Sequence, residues 1–166
     1  MIIIKDAMVL IHLAKLSLLE KSCDYFKKAI IPNLVYQEII KHKDYPDTKI
    51  IENLIKNNKI TMKNIKNKNL IKKANEFNIQ HGEAEALALS WQEKADLLAT
   101  DDDNVRKKKD LLDIKLIGTP TIILKLYNEK FINKEKLLLT IDKLREIGWF
   151  NNALLDSIIM EVNKNE

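Results

Sequence analysis

Short apolar runs in this chain end in acidic residues, and an amphipathic segment follows each of them. Residues 1–5 are rich in isoleucine and precede Asp6, while residues 97–99 precede a threonine and three consecutive aspartates. Apolar runs of this length, bounded by charge, are typical of strands buried in a parallel sheet. The pattern therefore predicts, in two places, a buried strand, an acidic tip and a following helix.

The remaining hydrophobic periodicity predicts an α/β architecture. Asn33 and Asn69 are candidate helix caps, and the spacing from residue 97 to residue 117 suits a right-handed parallel crossover. We expect a three-layer α/β/α fold with a central parallel sheet and a helical C-terminal part. Further strands are predicted at residues 29–31, 60–62 and 115–117, and helices at residues 24–28, from Pro32 onward, and at 47–58, 69–77, 80–91, 121–127, 134–147 and 153–162.

The length and composition predict one domain. The chain has 166 residues, of which 46% are hydrophobic, which is enough for a sizeable core. We expect residues 1–125 to form the main domain and the helices of residues 126–166 to pack on it. The stripe of Leu154, Leu155, Ile158 and Ile159 either closes the core or meets another chain, and we favour the core.

Several classes of protein are disfavoured by composition. No apolar run reaches the roughly 18 residues of a membrane span, and the first residues lack the features of a secretory signal. Cys23 is the only cysteine, which excludes an internal disulfide and a cysteine-based zinc cluster. We expect a cytoplasmic protein without membrane association. His12, His42 and His81 are scattered, and we interpret them as ordinary core or solvated histidines.

The charge balance gives weak support for a polyanionic partner. The formal net charge is +4, and 28 residues are Lys or Arg, of which only Arg106 and Arg145 are arginines. Because the excess is spread along the chain, it does not by itself indicate nucleic-acid binding. The chain has three glycines, which argues against a Gly-rich phosphate loop.

The strongest candidate chemistry is acidic. Three adjacent carboxylates at residues 101–103 repel one another, and a hard divalent cation is their usual counter-ion. The alternative is that these aspartates, like Asp6, cap the helices that follow them. Glu38 lies at the edge of an apolar stripe, where a carboxylate needs a partner. Glu83 and Glu85 lie about 100° to either side of Ala84 on one helix, so they point in divergent directions and both would not bind one ion.

An ordered set of motifs carries a family resemblance. In this order and spacing the chain resembles the PIN-domain nucleases, in particular the VapC-like archaeal and bacterial members. The resemblance covers roughly residues 1–125, and its strength lies in the set rather than in any one segment. The matching segments are DAMVLIHLAK at residues 6–15, IPNLVYQE at 31–38, GEAEALAL at 82–89, TDD at 100–102 with Arg106, and IGT at 117–119.

The resemblance implies a site and an activity. The activity is hydrolysis of RNA phosphodiester bonds with Mg²⁺ or Mn²⁺, which neutralises the phosphate and activates a water for in-line attack. Lys107 and Lys108 are candidates to hold the RNA backbone. VapC-type toxins also imply a small antitoxin partner and a homodimer. The family's acidic quartet falls on Asp6, Glu38, Glu85 and Asp102, with Asp101 as a further metal ligand and Glu83, Asp103, Thr100 and Thr119 as possible accessory residues. Asp103 departs from the family's usual basic or polar residue.

The sequence is also compatible with two other functions. An apolar strand followed by Asp101, Asp102 and Asp103 also resembles the Asp-x-Asp motif of haloacid-dehalogenase-like phosphatases, although too little sequence follows to supply that family's later motifs. The chain could also be a non-catalytic PIN-like module that binds RNA or protein. The intact set of acids argues against such a module, because costly charges are expected to be lost from a degenerate site.

Overall fold

Five parallel strands form the centre of the computed structural model, which describes residues 1–165. The strand order is β3-β2-β1-β4-β5, so β1 is the central strand and pairs with β2 on one side and β4 on the other. The strands are β1 (Ile2–Lys5), β2 (Lys28–Pro32), β3 (Ile60–Lys63), β4 (Leu97–Ala99) and β5 (Leu116–Ile117). All four pairings are parallel, as the apolar runs predict.

In the described part of the chain, ten α-helices and one turn of 3-10 helix, at Lys109–Leu111, connect and cover the strands. No helix within residues 1–165 combines the length and apolar composition needed to cross a membrane. The helices are α1 (Ala7–Lys15), α2 (Leu19–Phe26), α3 (Asn33–Ile40), α4 (Pro46–Lys56), α5 (Asn69–Glu76), α6 (His81–Gln92), α7 (Asp103–Arg106), α8 (Thr119–Asn128), α9 (Lys134–Ile147) and α10 (Asn152–Lys164).

The helices pack on both faces of the sheet and give two hydrophobic cores. Ile3 and Ile4 show the alternation, because one belongs to each core. The larger core contains residues of α1 to α4 and α8 to α10, and the smaller contains residues of α5, α6 and α7. The predicted three-layer α/β/α fold with a central parallel sheet is confirmed.

The last two helices contribute to the larger core. Leu137 and Leu144 of α9 and Leu155 and Ile158 of α10 are all buried there. Leu154, which the stripe places on the same side, is instead 39% exposed. The apolar stripe of α10 is therefore only partly used for core packing.

Three predicted helix starts are corrected by the structure. Asn33 and Asn69 do not cap their helices: each is the first helical residue, and the preceding positions, Pro32 and Lys68, make no side-chain cap hydrogen bond. The second helix begins at Leu19, not near residue 24. Its buried face is formed by Leu19, Ser22, Cys23 and Phe26, a helical spacing that extends the element towards its start.

Lys5 ends the central strand with its side chain inside the larger core. The residue is fully buried, and Nζ has no hydrogen-bond partner among residues 1–165. Nζ lies 5.4 Å from the centroid of the Phe26 ring, a cation–π contact that only partly offsets the loss of water. Burial lowers the pKa of Lys5, against a smaller opposing effect of the Cys23 thiol. Lys5 therefore destabilises the fold that surrounds it.

Replacing Lys5 by methionine should raise the free energy of unfolding by about 1–3 kcal/mol, the usual cost of an unsatisfied buried polar group. Because folding lowers the pKa of Lys5, the unfolded chain binds more protons between that lowered value and about 10.4, so wild-type stability rises with pH in this window. Lys5→Met should lose that rise. Urea unfolding at neutral and alkaline pH measures both effects.

The matched control is Lys28→Met, which removes a lysine from the exposed start of β2. It should leave stability and its pH dependence nearly unchanged. An equal gain from both variants, or no gain from Lys5→Met, would contradict this account of the buried amine.

Candidate active site

The strand order reverses between β1 and β4, and the acidic residues lie at that point. In open α/β sheets the crevice at such a reversal, beyond the carboxyl ends of the strands, is the usual ligand site. Asp6 follows β1, and Thr100 and Asp101 follow β4. The Asp6 amide donates to the Ala99 carbonyl at 3.0 Å, which holds the two strand ends together. The topology thus brings together residues that are nearly a hundred positions apart.

Asp6 is deeply buried at the end of the central strand. It is 3% exposed and caps α1, with Oδ1 accepting from the Val9 amide at 2.9 Å, while Oδ2 has no hydrogen-bond partner among residues 1–165. Burial raises the pKa of Asp6 to about 7, and repulsion from Asp101 and Glu83 adds to the rise. The Thr100 hydroxyl, which is near the carboxylate but without hydrogen-bond geometry to Oδ2, and the hydrogen bond from the Val9 amide act in the opposite direction. Asp6 is therefore both a helix cap and an acid with a free, buried oxygen.

Glu38 reaches the site from α3 and is held by the first turn of α6. Its Oε1 accepts from the Gly82 amide at 3.1 Å. A Cβ atom at position 82 would lie 2.6 Å from each Glu38 carboxylate oxygen, so the close approach requires glycine there. Burial raises the pKa of Glu38, with a further contribution from repulsion by Glu83.

The side chains of Glu83 and Glu85 have different surroundings in the structure. Glu83 repels both Asp6 and Glu38, and we call these three acids the acidic cluster. Glu85 instead accepts from the Leu34 amide at 3.1 Å, which satisfies an amide at the start of α3 where Pro32 offers no side-chain cap. The choice of Glu85 as a metal ligand stays a prediction, and this geometry favours Glu83.

Asp101 is fully engaged by protein groups. Its side chain is only 2% exposed, and it accepts from the Thr119 amide at 2.7 Å and from the Thr119 hydroxyl at 2.5 Å. The third partner is Nδ1 of His12, 2.8 Å from Oδ2. Sequence reasoning gave His12 no role, and no motif in the chain pairs residues 12 and 101. Asp101 thus anchors α1 and α8 to the end of β4.

Asp102 and Asp103 lie at the start of α7. Asp102 caps this helix, since Oδ1 accepts from the Val105 amide at 2.9 Å, and its own amide donates to the Thr100 hydroxyl at 3.2 Å. Asp102 and Glu83 line a common cavity of about 310 Å³. Asp103 is exposed. Asp102 is therefore near the acidic cluster, while Asp103 is at its margin.

The donor set suits a hard divalent cation. Within residues 1–165, no three His, Cys, Asp or Glu side chains are arranged to enclose a metal ion. Mg²⁺ does not need such an enclosure, because it usually keeps several waters and binds through one or two carboxylates together with substrate phosphates. The free Oδ2 of Asp6, among acids that repel one another, fits that mode of binding.

Comparison with known proteins places the chain in a family. A model of the DUF3368 family, described as a PIN domain, matches residues 2–164, which includes α9 and α10. The chain therefore belongs to this family of PIN domains. PIN domains are generally nucleases, so the fold is of the nuclease type. In the other two comparisons, neither a curated protein nor a solved structure gave a significant match.

Replacing Glu83 by glutamine should lower the pKa of both Asp6 and Glu38, because the substitution removes a negative charge that repels them. Titration followed by NMR of labelled carboxyl carbons would measure both shifts. Glu85→Gln is the matched control on the same helix. If Glu85→Gln moved these two pKa values as much as Glu83→Gln did, the assignment of Glu83 to the cluster would be wrong.

Proposed function

We propose that this PIN domain is a Mg²⁺- or Mn²⁺-dependent endoribonuclease with Asp6, Glu38 and Glu83 at its centre. The observation that supports it most directly is Asp6 Oδ2, a buried carboxylate oxygen without a hydrogen-bond partner in the described part of the chain. Burying such an oxygen near Asp101 and Glu83 is costly unless a cation compensates it. Asp102 adds a fourth carboxylate beside Glu83.

In this proposal some residues hold the cation and others position the residues that hold it. Asp6 and Glu83 would hold the cation, and Glu38, fixed by Gly82, adds charge from a third element. When bound, the cation supplies the positive charge that compensates the phosphate and an activated water. Asp101 keeps the end of β4 in place through His12 and Thr119 and so positions the cluster without needing a free oxygen.

RNA is the substrate that the proposal favours. The family resemblance implies it, and the net charge of +4, mostly from lysine, suits a polyanion. Lys107 and Lys108 follow the acidic tip directly and are candidates for contacts to the backbone. By the same resemblance we include a homodimer and a small antitoxin among the proposed partners.

The phosphatase alternative is disfavoured by the surroundings of Asp101. A nucleophilic aspartate needs an oxygen that can reach a phosphorus atom, whereas both oxygens of Asp101 are already hydrogen-bonded and the side chain is 2% exposed. The non-catalytic alternative leaves the unpartnered Asp6 oxygen without a purpose. Both alternatives therefore account for less of the site than a metal-dependent nuclease.

Calorimetric titration with Mn²⁺ tests the metal site before any substrate is known. Asp6→Asn and Glu83→Gln should each weaken Mn²⁺ binding by about 100-fold or more, since loss of a mere outer-shell partner already costs about 10–100-fold. Glu85→Gln should bind Mn²⁺ like the wild type. Cleavage of mixed-sequence single-stranded RNA should require Mg²⁺ or Mn²⁺, stop in EDTA, and be lost in Asp6→Asn.

Two results would contradict the proposal. A wild-type protein that binds no Mn²⁺ would exclude the metal site and favour an interaction module. Equal loss of binding in Glu85→Gln and Glu83→Gln would instead restore the assignment that the motif resemblance implies.

A further inference from the structure

Trp149 is fully exposed on the loop between α9 and α10, although tryptophan is one of the more buried residue types on average. The loop is fixed at both ends. The Gly148 amide donates to the Leu144 carbonyl at 3.2 Å, and Asn151 caps α10 by accepting from the Ala153 amide at 2.8 Å. The exposed ring is thus presented by an anchored segment.

The neighbouring residue, Phe150, connects this loop to Asp101 at the end of β4. Its ring packs edge-on against His12, with the ring centroids 5.3 Å apart, and His12 in turn bonds Asp101. The Phe150 ring also lies directly over Gly148, where any Cβ atom would collide with it. A glycine at the end of α9 therefore lets Phe150 fold back and leaves Trp149 pointing away from the core.

A cavity of about 110 Å³ lies between this loop and the end of β4. Asp101, Arg106, Gly118, Trp149 and Phe150 are among the residues that line it. The cavity is smaller than the usual small-molecule pocket and suits a single planar group. Asp101, which lines the cavity, also repels Asp6, so the cavity lies beside the candidate active site.

Arg106 gives the cavity a cationic wall. Its Nη1 donates to the Thr100 carbonyl at 3.3 Å, the only side-chain hydrogen bond that Arg106 makes within residues 1–165. A guanidinium has five N–H donors, so most remain for a phosphate oxygen. A Cβ atom at position 118 would lie 2.9 Å from Nη1, so Gly118 leaves the space that the guanidinium occupies.

We propose that Trp149 and Arg106 form a subsite for one nucleotide of single-stranded RNA, with the base stacked on Trp149 and its phosphate bound by Arg106. Asp101 and Asp103 also line the cavity, so the uncharged base is the part of the nucleotide that fits beside them and against the ring, and the phosphate binds at Arg106, the cation in the lining. Aromatic side chains stack on the π-face of any base. The inference rests on the proposed function, because this nucleotide would belong to the strand that the acidic cluster cleaves.

Fluorescence quenching of Trp149 tests the subsite. Trp91 is the other tryptophan, so a Trp91→Phe protein reports on Trp149 alone. In EDTA and at low salt, a short single-stranded RNA of mixed sequence should quench this emission, whereas its duplex and inorganic polyphosphate should not. Trp149→Leu should weaken binding of a labelled strand by about 5- to 150-fold, while Trp149→Phe retains most of it.

Two further variants distinguish the contribution of stacking to RNA binding from the contributions of charge and of apolar contact in general. Arg106→Gln should reduce the slope of log affinity against log salt by about one. Leu139→Ala removes an exposed apolar side chain of α9 that does not line the cavity, and it should leave binding unchanged.

The outcomes distinguish this inference from the proposed function. Quenching by single strands without any cleavage in Mg²⁺ or Mn²⁺ would support the subsite and overturn the nuclease. Cleavage without quenching, or equal binding by Trp149→Leu and the wild type, would overturn the subsite. A change in Trp149 emission with protein concentration alone, accompanied by dimers in sedimentation, would show that Trp149 contacts a second copy and would also overturn it.

Discussion

The burial of the Asp6 carboxylate at the end of the central strand is the constraint on which the site depends. Strand β1 is paired on both sides, and the Asp6 amide is bonded to Ala99, so the residue cannot move out to water. One oxygen stabilises the start of α1 through Val9, and the other has no partner in the described chain. A carboxylate that is buried away from water and held in place destabilises the fold by several kcal/mol unless its charge is neutralised. The fold thus keeps an acid where a globular core alone would not favour one.

The other acids differ in whether protein groups hydrogen-bond them. Asp101 is hydrogen-bonded by His12 and Thr119, and Glu85 accepts from the Leu34 amide at the start of α3, so both side chains connect separate elements of the fold. Glu83 interacts electrostatically with Asp6 and Glu38 instead. Acids that look alike in the motifs therefore have different surroundings in the fold. Their hydrogen-bond partners distinguish them, whereas their positions in the motifs do not.

Hydrophobic patterning was sufficient for the fold but not for the details of the site. The apolar runs before Asp6 and Thr100 predicted β1 and β4, because strands buried on both faces leave a continuous apolar signal. The choice between Glu83 and Glu85 depends on how far α6 is rotated about its axis, which no local pattern fixes. The contact of His12 with Asp101 carried no signal either, since it joins residues distant in sequence. The caps predicted at Asn33 and Asn69 failed because propensity alone does not set a helix boundary to within one residue.

The order of the strands has a consequence for how the protein is made. The acidic cluster contains residues 6, 38 and 83 and lies at the end of β4. Strand β4 pairs with β1 but follows β2 and β3 in the sequence, so it is synthesised after them. A parallel sheet of this kind forms through contacts between distant parts of the chain, which makes it slow to assemble and cooperative. On the ribosome, the emerging polypeptide therefore has no assembled acidic cluster until β4 has been translated, and any chemistry of that cluster is withheld from the nascent chain before then.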